Sequence, residues 1–380
     1  MRDPAAYEAE GRNDPLAPEQ RVEHPYDFVA LPSRTAIGQA VAHDRYLPDR
    51  LTGVLTLIYE TETPLHVGSG VFETADECGL AGAATPVRGI VRRLGRPVLP
   101  GSSWKGAVRA RFEAITGSNL GVRSHGGRVG IEKLPEVLRP AGTRGKVEVR
   151  LPRLPEPREV RRGQAGEQEV RRQLAALSPA EALFGAMGYR GRVHPGDGTI
   201  TGAAATAPLS VPPLESPAHH RLAKPGAARV AGPRVEISQV EGRKFYYDGP
   251  VRHGRTLRAG EENRSVYELV DHVPAGCTIS LELFLDSVAE SELGALLLSA
   301  GHGADGGVLR FGGYKPAGLG RVRLKGVGGQ LRRGSGGAKW RRAEGEPLDA
   351  DRIVAGARAS GFIDAAALAE LHQITTRLRP

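Results

Sequence analysis

Apolar positions recur along this chain with two periods. In GVLTLIYETETPLHVGSG (Gly53–Gly70) β-forming residues nearly alternate with polar ones and stop at glycines, which predicts a strand. In VLPGSSWKGAVRARFEAITG (Val98–Gly117), Trp104, Val108, Phe112 and Ile115 return at helical spacing and predict one amphipathic helix. Ser102 or Ser103 can cap its first turn, and Gly117 can end its last. Thr85–Arg93 is strand-like, and Ser178–Val193 reads as a capped helix, a glycine turn and a strand. Cys277–Asp286 alternates Ile279, Leu281, Leu283 and Leu285 against polar residues. A short helix at about Ala289–Ala300 follows, then a strand, a glycine-rich loop and a strand in GGVLRFGGYKPAGLGRVRLKG.

The order strand, helix, interrupted middle, strand, helix, strand predicts an α+β domain of modified ferredoxin-like or RRM-like type, with helices on one face of an antiparallel sheet. Residues 1–48, rich in Pro, Asp and Arg, read as an extended arm. The core then spans 49–326, with insertions at about 118–177 and 203–275. The first insertion mixes Arg with Glu and reads as a solvated segment. Residues 205–232 read as loop. Residues 327–380 read as a linker and one C-terminal helix, DAAALAELHQITTRL.

Charge changes the picture more than composition does. Lys and Arg number 52 against 43 Asp and Glu, a formal net charge of +9. That surplus suits an acidic partner, most often nucleic acid, although an Arg-favouring genome also produces one. Two distant cysteines, Cys78 and Cys277, exclude a zinc site built on CxxC pairs and argue against a disulfide scaffold. The N-terminus lacks an apolar signal core, and no apolar run is long enough to span a bilayer. A cytoplasmic protein without a membrane partner is expected.

Three stretches could meet an anion. PGSSWKG places backbone N–H groups at a helix start, with Lys105 and Arg109 one turn apart behind them. It is not a Walker loop, because no GxxxxGK[ST] occurs. FGGYKPAGLGRV (Phe311–Val322) crowds glycines around Lys315 and ahead of Arg321, which suits close backbone approach to a ligand. GRKFYYDGPVRHGR (Gly242–Arg255) joins cations, Arg243 and Lys244, to the stacking surfaces Phe245 and Tyr246; a hairpin packed on its own protein is the alternative. The acidic loop with Glu73, Asp76 and Glu77 could hold a divalent cation, although exposed acidic loops without metal are commoner. His66 reads as structural. GxSxG and HExxH are absent.

TPLHVGSG, VLPGSSWKGAVRARFE and FGGYKPAGLGRV, in this order, resemble segments of the RAMP superfamily of CRISPR-associated proteins. SPAEALFG and VDHVPAGCTISLELFLD resemble two more. The likeness is closest to the backbone subunits of type III effector complexes, which polymerise along a guide RNA. It implies that Ser102, Ser103, Lys105 and Arg109 contact guide phosphates and that the loop around Gly313, Lys315 and Arg321 approaches the same backbone. It implies a thumb-like hairpin between about Arg234 and Asp271, with the Phe245–Tyr247 cluster as a wedge in the guide–target duplex. Partners would be guide RNA, target RNA, other effector subunits and copies of the chain itself. RNA-cleaving relatives carry an aspartate just before a Pro-Val pair. Here that stretch reads LAGAATPVRG, with Ala84 two before Pro86. The resemblance therefore implies an RNA-binding rather than an RNA-cleaving subunit, with no cofactor. The alternative is a Mg²⁺-dependent endoribonuclease using Asp76 or Glu77, and a filament-end capping subunit is another.

Overall fold

In the computed structural model, the described residues are 25–41, 43, 47–74, 86–121, 126–161, 166–203, 208–214, 219–251, 255–256, 268–334 and 348–378. The centre is one antiparallel sheet. Leu51–Thr61 pairs with Thr278–Val288 along nearly its whole length, from Glu60↔Thr278 to Leu51↔Val288. On its other side lies Arg321–Arg333, registered from Leu51↔Arg333 to Thr61↔Val322. Val193–Pro195 and Gly198–Thr201 both pair with the far side of Thr278–Val288. Across the sheet the order of core strands is thus last, first, third, second, which is the arrangement of a βαββαβ chain. The RRM-like α+β domain expected from the sequence is the one present.

Alternation decides which face is buried. Leu55, Leu57 and Tyr59 point to the same core as Leu281, Leu283 and Leu285, and the helices Gly101–Ile115 and Glu290–Ser299 cover them. Val54 and Phe284 lie on the opposite, exposed face. Truncating a leucine such as Leu283 to alanine would cost about 2–5 kcal/mol. The predicted Gly53–Gly70 strand is in fact two, Leu51–Thr61 and Gly68–Glu73. Pro64 lies at the break. It has no N–H for a ladder, but its carbonyl accepts from the Gly320 N–H at 2.8 Å.

The inserted stretches are more ordered than their composition suggests. Gly127–Gly130 and Lys146–Arg150 from the first insertion form one sheet with Ala228–Ala231 and Arg234–Ile237 from the second, joined by parallel pairing of Arg234–Glu236 with Glu148–Arg150. Val129, Val147, Val149, Val235 and Ile237 close a separate small core beneath it. The first insertion is therefore not merely a solvated segment. Nor are residues 205–232 all loop, since Leu209–Val211 is also a strand. Short alternating runs such as VEV in 147–149 are too brief to register as strands until a partner strand arrives. The hairpin Ala228–Ile237 overlaps only the start of 234–271, the stretch to which the resemblance assigns a thumb-like hairpin, and residues 252–254 and 257–267 of that stretch lie outside the described residues.

Both termini depart from expectation. Tyr26–Val29 of the N-terminal arm is a strand, paired antiparallel with Arg243–Tyr246. The C-terminal region holds two helices, Ala350–Ala359 and Ala365–Thr376, where the sequence predicts one. The first hides its pattern behind Gly356 and two arginines, yet it buries Ile353, Val354 and Ala357. It crosses Glu290–Ser299 at Gly294, where a Cβ would stand 2.5 Å from the Ala357 Cβ. Among the described residues no helix is long and apolar enough to cross a membrane.

Candidate nucleic-acid interface

The Pro-Gly-Ser-Ser turn is built by crowding. Pro100 is the N-cap and Gly101 the first helical residue. A Cβ on Gly101 would lie 2.5 Å from the carbonyl oxygens of Pro195 and Gly196. The Gly101 N–H donates to the Asp197 carboxylate at 2.9 Å, which holds that carboxyl below its usual pKa. The expected serine cap is therefore absent. Ser102 and Ser103 lie inside the first turn, and the Ser103 N–H bonds to the Pro100 carbonyl at 2.9 Å. Gly117 does end the helix, in a left-handed conformation (φ 57°), with the Ser118 N–H returning to the Glu113 carbonyl at 3.0 Å.

Lys105 and Arg109 differ in their surroundings. The half-buried Lys105 Nζ donates to the Val193 carbonyl at 3.2 Å. Burial, then the neighbouring Arg109 charge, push its pKa down. Arg109 is held by Glu113, one turn on, at 2.7 Å, and also donates to the Gly185 carbonyl. The second oxygen of Glu113 accepts from Arg243. Glu113 is 2% exposed, so this triad is an internal ion cluster joining the helix to the strand Arg243–Tyr246.

That strand divides the predicted cluster. Its period of two sends Arg243 and Phe245 inward and Lys244 and Tyr246 outward. Phe245 is 9% exposed and belongs to the central core with Val29 and Leu371. It cannot serve as a wedge here, because its ring is already buried. Lys244 is exposed, its Nζ 4.7 Å and 5.0 Å from the ring centroids of Tyr26 and Tyr246.

The glycine-rich loop is also crowded, but by its own protein. Cβ atoms on Gly312, Gly318 and Gly320 would meet backbone oxygens of His66, Pro250 and Phe311 at 2.1, 2.5 and 2.0 Å, all at positive φ. These glycines serve internal backbone contacts rather than a free approach to ligand. Gly313 alone has room, its nearest neighbour being the His66 ring at 3.5 Å. His66 is buried beneath the loop, its Nδ1 2.7 Å from the Asp271 carbonyl and its ring against Tyr314, in keeping with a structural role. Lys315 donates to the Gly312 carbonyl. Burial, then Arg310 and Lys244, push its pKa down to about 8. Arg321 is engaged by Glu62 and Asp248, and Arg310 by Asp248.

The structure thus brings Lys244 and Lys315 together with Arg310, and Lys105 with Arg109. The residues that sequence reasoning missed are the carboxylates Glu113, Asp248 and Glu62 and the aromatics Tyr26 and Phe28. Only Glu113 carried a local signal, its i+4 spacing from Arg109. Asp76, Glu77 and Ala84 lie outside the described residues.

The fold is a βαββαβ domain that groups Lys315 with Lys244 and Arg310, and Lys105 with Arg109. A family model, the RAMP superfamily, matches residues 58–323, and the chain belongs to that superfamily. It is accordingly a CRISPR-associated protein of an RNA-binding family. No curated protein matches the sequence.

Proposed function

We propose that the protein is a guide-RNA-binding backbone subunit of a type III-like CRISPR effector ribonucleoprotein. One observation carries the reading. Lys105, Lys244 and Lys315, from three separate segments, have no carboxylate partner among the described residues, and Lys105 and Lys315 are crowded by other cations. An anion relieves that repulsion. A phosphate backbone supplies anions at regular intervals while leaving base edges free to pair with target. Ser102 and Ser103 add hydroxyl donors beside Lys105, and Gly313 is the one glycine of the loop at which a Cβ would meet no close contact.

The test is to purify the protein with the products of its neighbouring genes and sequence the RNA that accompanies it. Discrete RNAs sharing a repeat-derived 5′ end are expected. Random fragments, or no RNA, would overturn the reading.

A further inference from the structure

We propose that Tyr26, Phe28, Tyr246 and Lys244 form a platform on which an unpaired RNA base stacks. The inference rests on the RNA-binding reading and extends it to a surface only half of which lies inside the superfamily match, since Tyr26 and Phe28 precede residue 58 while Lys244 and Tyr246 fall within it.

The two short strands pair Tyr26↔Tyr246 and Phe28↔Lys244. Alternation therefore puts these four side chains on one face and Asp27, Val29, Arg243 and Phe245 on the other. The second face packs inward at Val29 and Phe245, which are in the core, while Asp27 at its end is exposed. The first is half-exposed at its aromatics and open at Lys244. Tyr26 meets Phe28 at 5.7 Å and Tyr246 at 6.1 Å, both edge to face, so rings of different orientation tile the surface. In a chain with only 5% aromatic residues, three on four paired positions of one sheet face is a concentration.

Charge selects the occupant. Lys244 crosses the rings, and Lys315 and Arg310 stand near enough for their charges to interact. The nearest carboxylates are turned away or engaged. Asp27, on the other face, accepts from the Phe28 N–H and the Tyr247 hydroxyl, and Asp248 holds Arg310 and Arg321. A ligand with a π face and an attached anion fits this surface, and an unpaired nucleotide has both. An exposed cation–π contact is weaker than a base–aromatic stack, so Lys244 can leave the ring for a phosphate as the base arrives.

The full-length protein and a single-stranded RNA carrying 2-aminopurine make the test. Phe28→Leu and Tyr246→Leu keep apolar bulk but remove the π face. Each should weaken binding about tenfold, leave the salt slope unchanged and abolish the quenching of 2-aminopurine. Tyr246→Phe should restore both affinity and quenching, separating the ring's role from a folding defect. Leucine variants with wild-type affinity and quenching would overturn the platform while leaving the RNA-binding reading intact. So would full RNA affinity together with loss of a neighbouring subunit, which would assign the face to protein docking. Failure of the wild type to bind RNA at all would overturn both.

Discussion

Two cationic regions of this protein meet at one strand and behave in opposite ways. On the inner side of Arg243–Tyr246, Arg243 and Arg109 share the buried carboxylate of Glu113. On the outer side, Lys244 and Lys315 are close enough for their charges to interact and have no carboxylate partner among the described residues. The inner pattern recurs nearby, where Arg310 and Arg321 are both held by Asp248. A count of charges treats all these cations alike. These arginines use their several guanidinium N–H groups to bridge separate internal acceptors, Arg109 reaching Glu113 and the Gly185 carbonyl and Arg321 reaching Glu62 and Asp248, whereas Lys244 and Lys315 remain point charges. Which cations are available is thus decided by where the carboxylates fall.

The largest expected effect comes from breaking the inner cluster. Glu113→Ala leaves the part-buried Arg109 and Arg243 facing each other without a counter-charge. It should lower the unfolding free energy by about 3–5 kcal/mol, measured by urea denaturation. A loss below about 1 kcal/mol would mean that the triad is solvated and that the contrast is false.

Breaking the outer group should act on binding instead. Lys105→Gln with Lys315→Gln is expected to weaken RNA binding roughly tenfold and to reduce the salt slope by about 1.4, near 0.7 per lost contact to a single strand. Filter binding at several salt concentrations checks this, and stability should not fall. An unchanged slope would place the phosphates elsewhere.

The smallest effect sharpens the comparison by pH. The Lys315 pKa lies at about 8 in the fold against an ordinary 10.5. A depressed value means that the folded state disfavours the charged form. The associated stability is full above pH 10.5 and is lost as pH falls through 8. Lys315→Met removes that penalty, so the variant should be more stable than the parent at pH 7, by about 1 kcal/mol after solvent screening. The difference should shrink as pH rises from about 8 towards 10.5. Equal stability at pH 7 would show Lys315 to be freely hydrated.

Legibility followed the range of the interactions involved. The helix Gly101–Ile115, the helix Glu290–Ser299 and the strand Thr278–Val288 could be read from periodicity, because each buries a continuous face against the core. The order of elements was enough for the sheet. The Lys105 turn could be read as a cationic helix start, but not its cap, because Asp197 reaches Gly101 from a different strand. The glycine loop reads in the sequence as an approach to a ligand, whereas Gly312, Gly318 and Gly320 pack against the backbone of His66, Pro250 and Phe311. The aromatic cluster at 245–247 could be read as a unit, and the structure divides it.

Local spacing by itself determined the core elements, their apolar faces and the excess of positive charge, since each depends on residues a few positions apart. Only the tertiary structure decided which cations are neutralised and which aromatics are buried. Glu113 meets Arg243 across 130 positions of chain, and Tyr26 meets Tyr246 across a longer span still. Such pairings are set by how the sheet and its helices close on one core, and no window of sequence contains both partners.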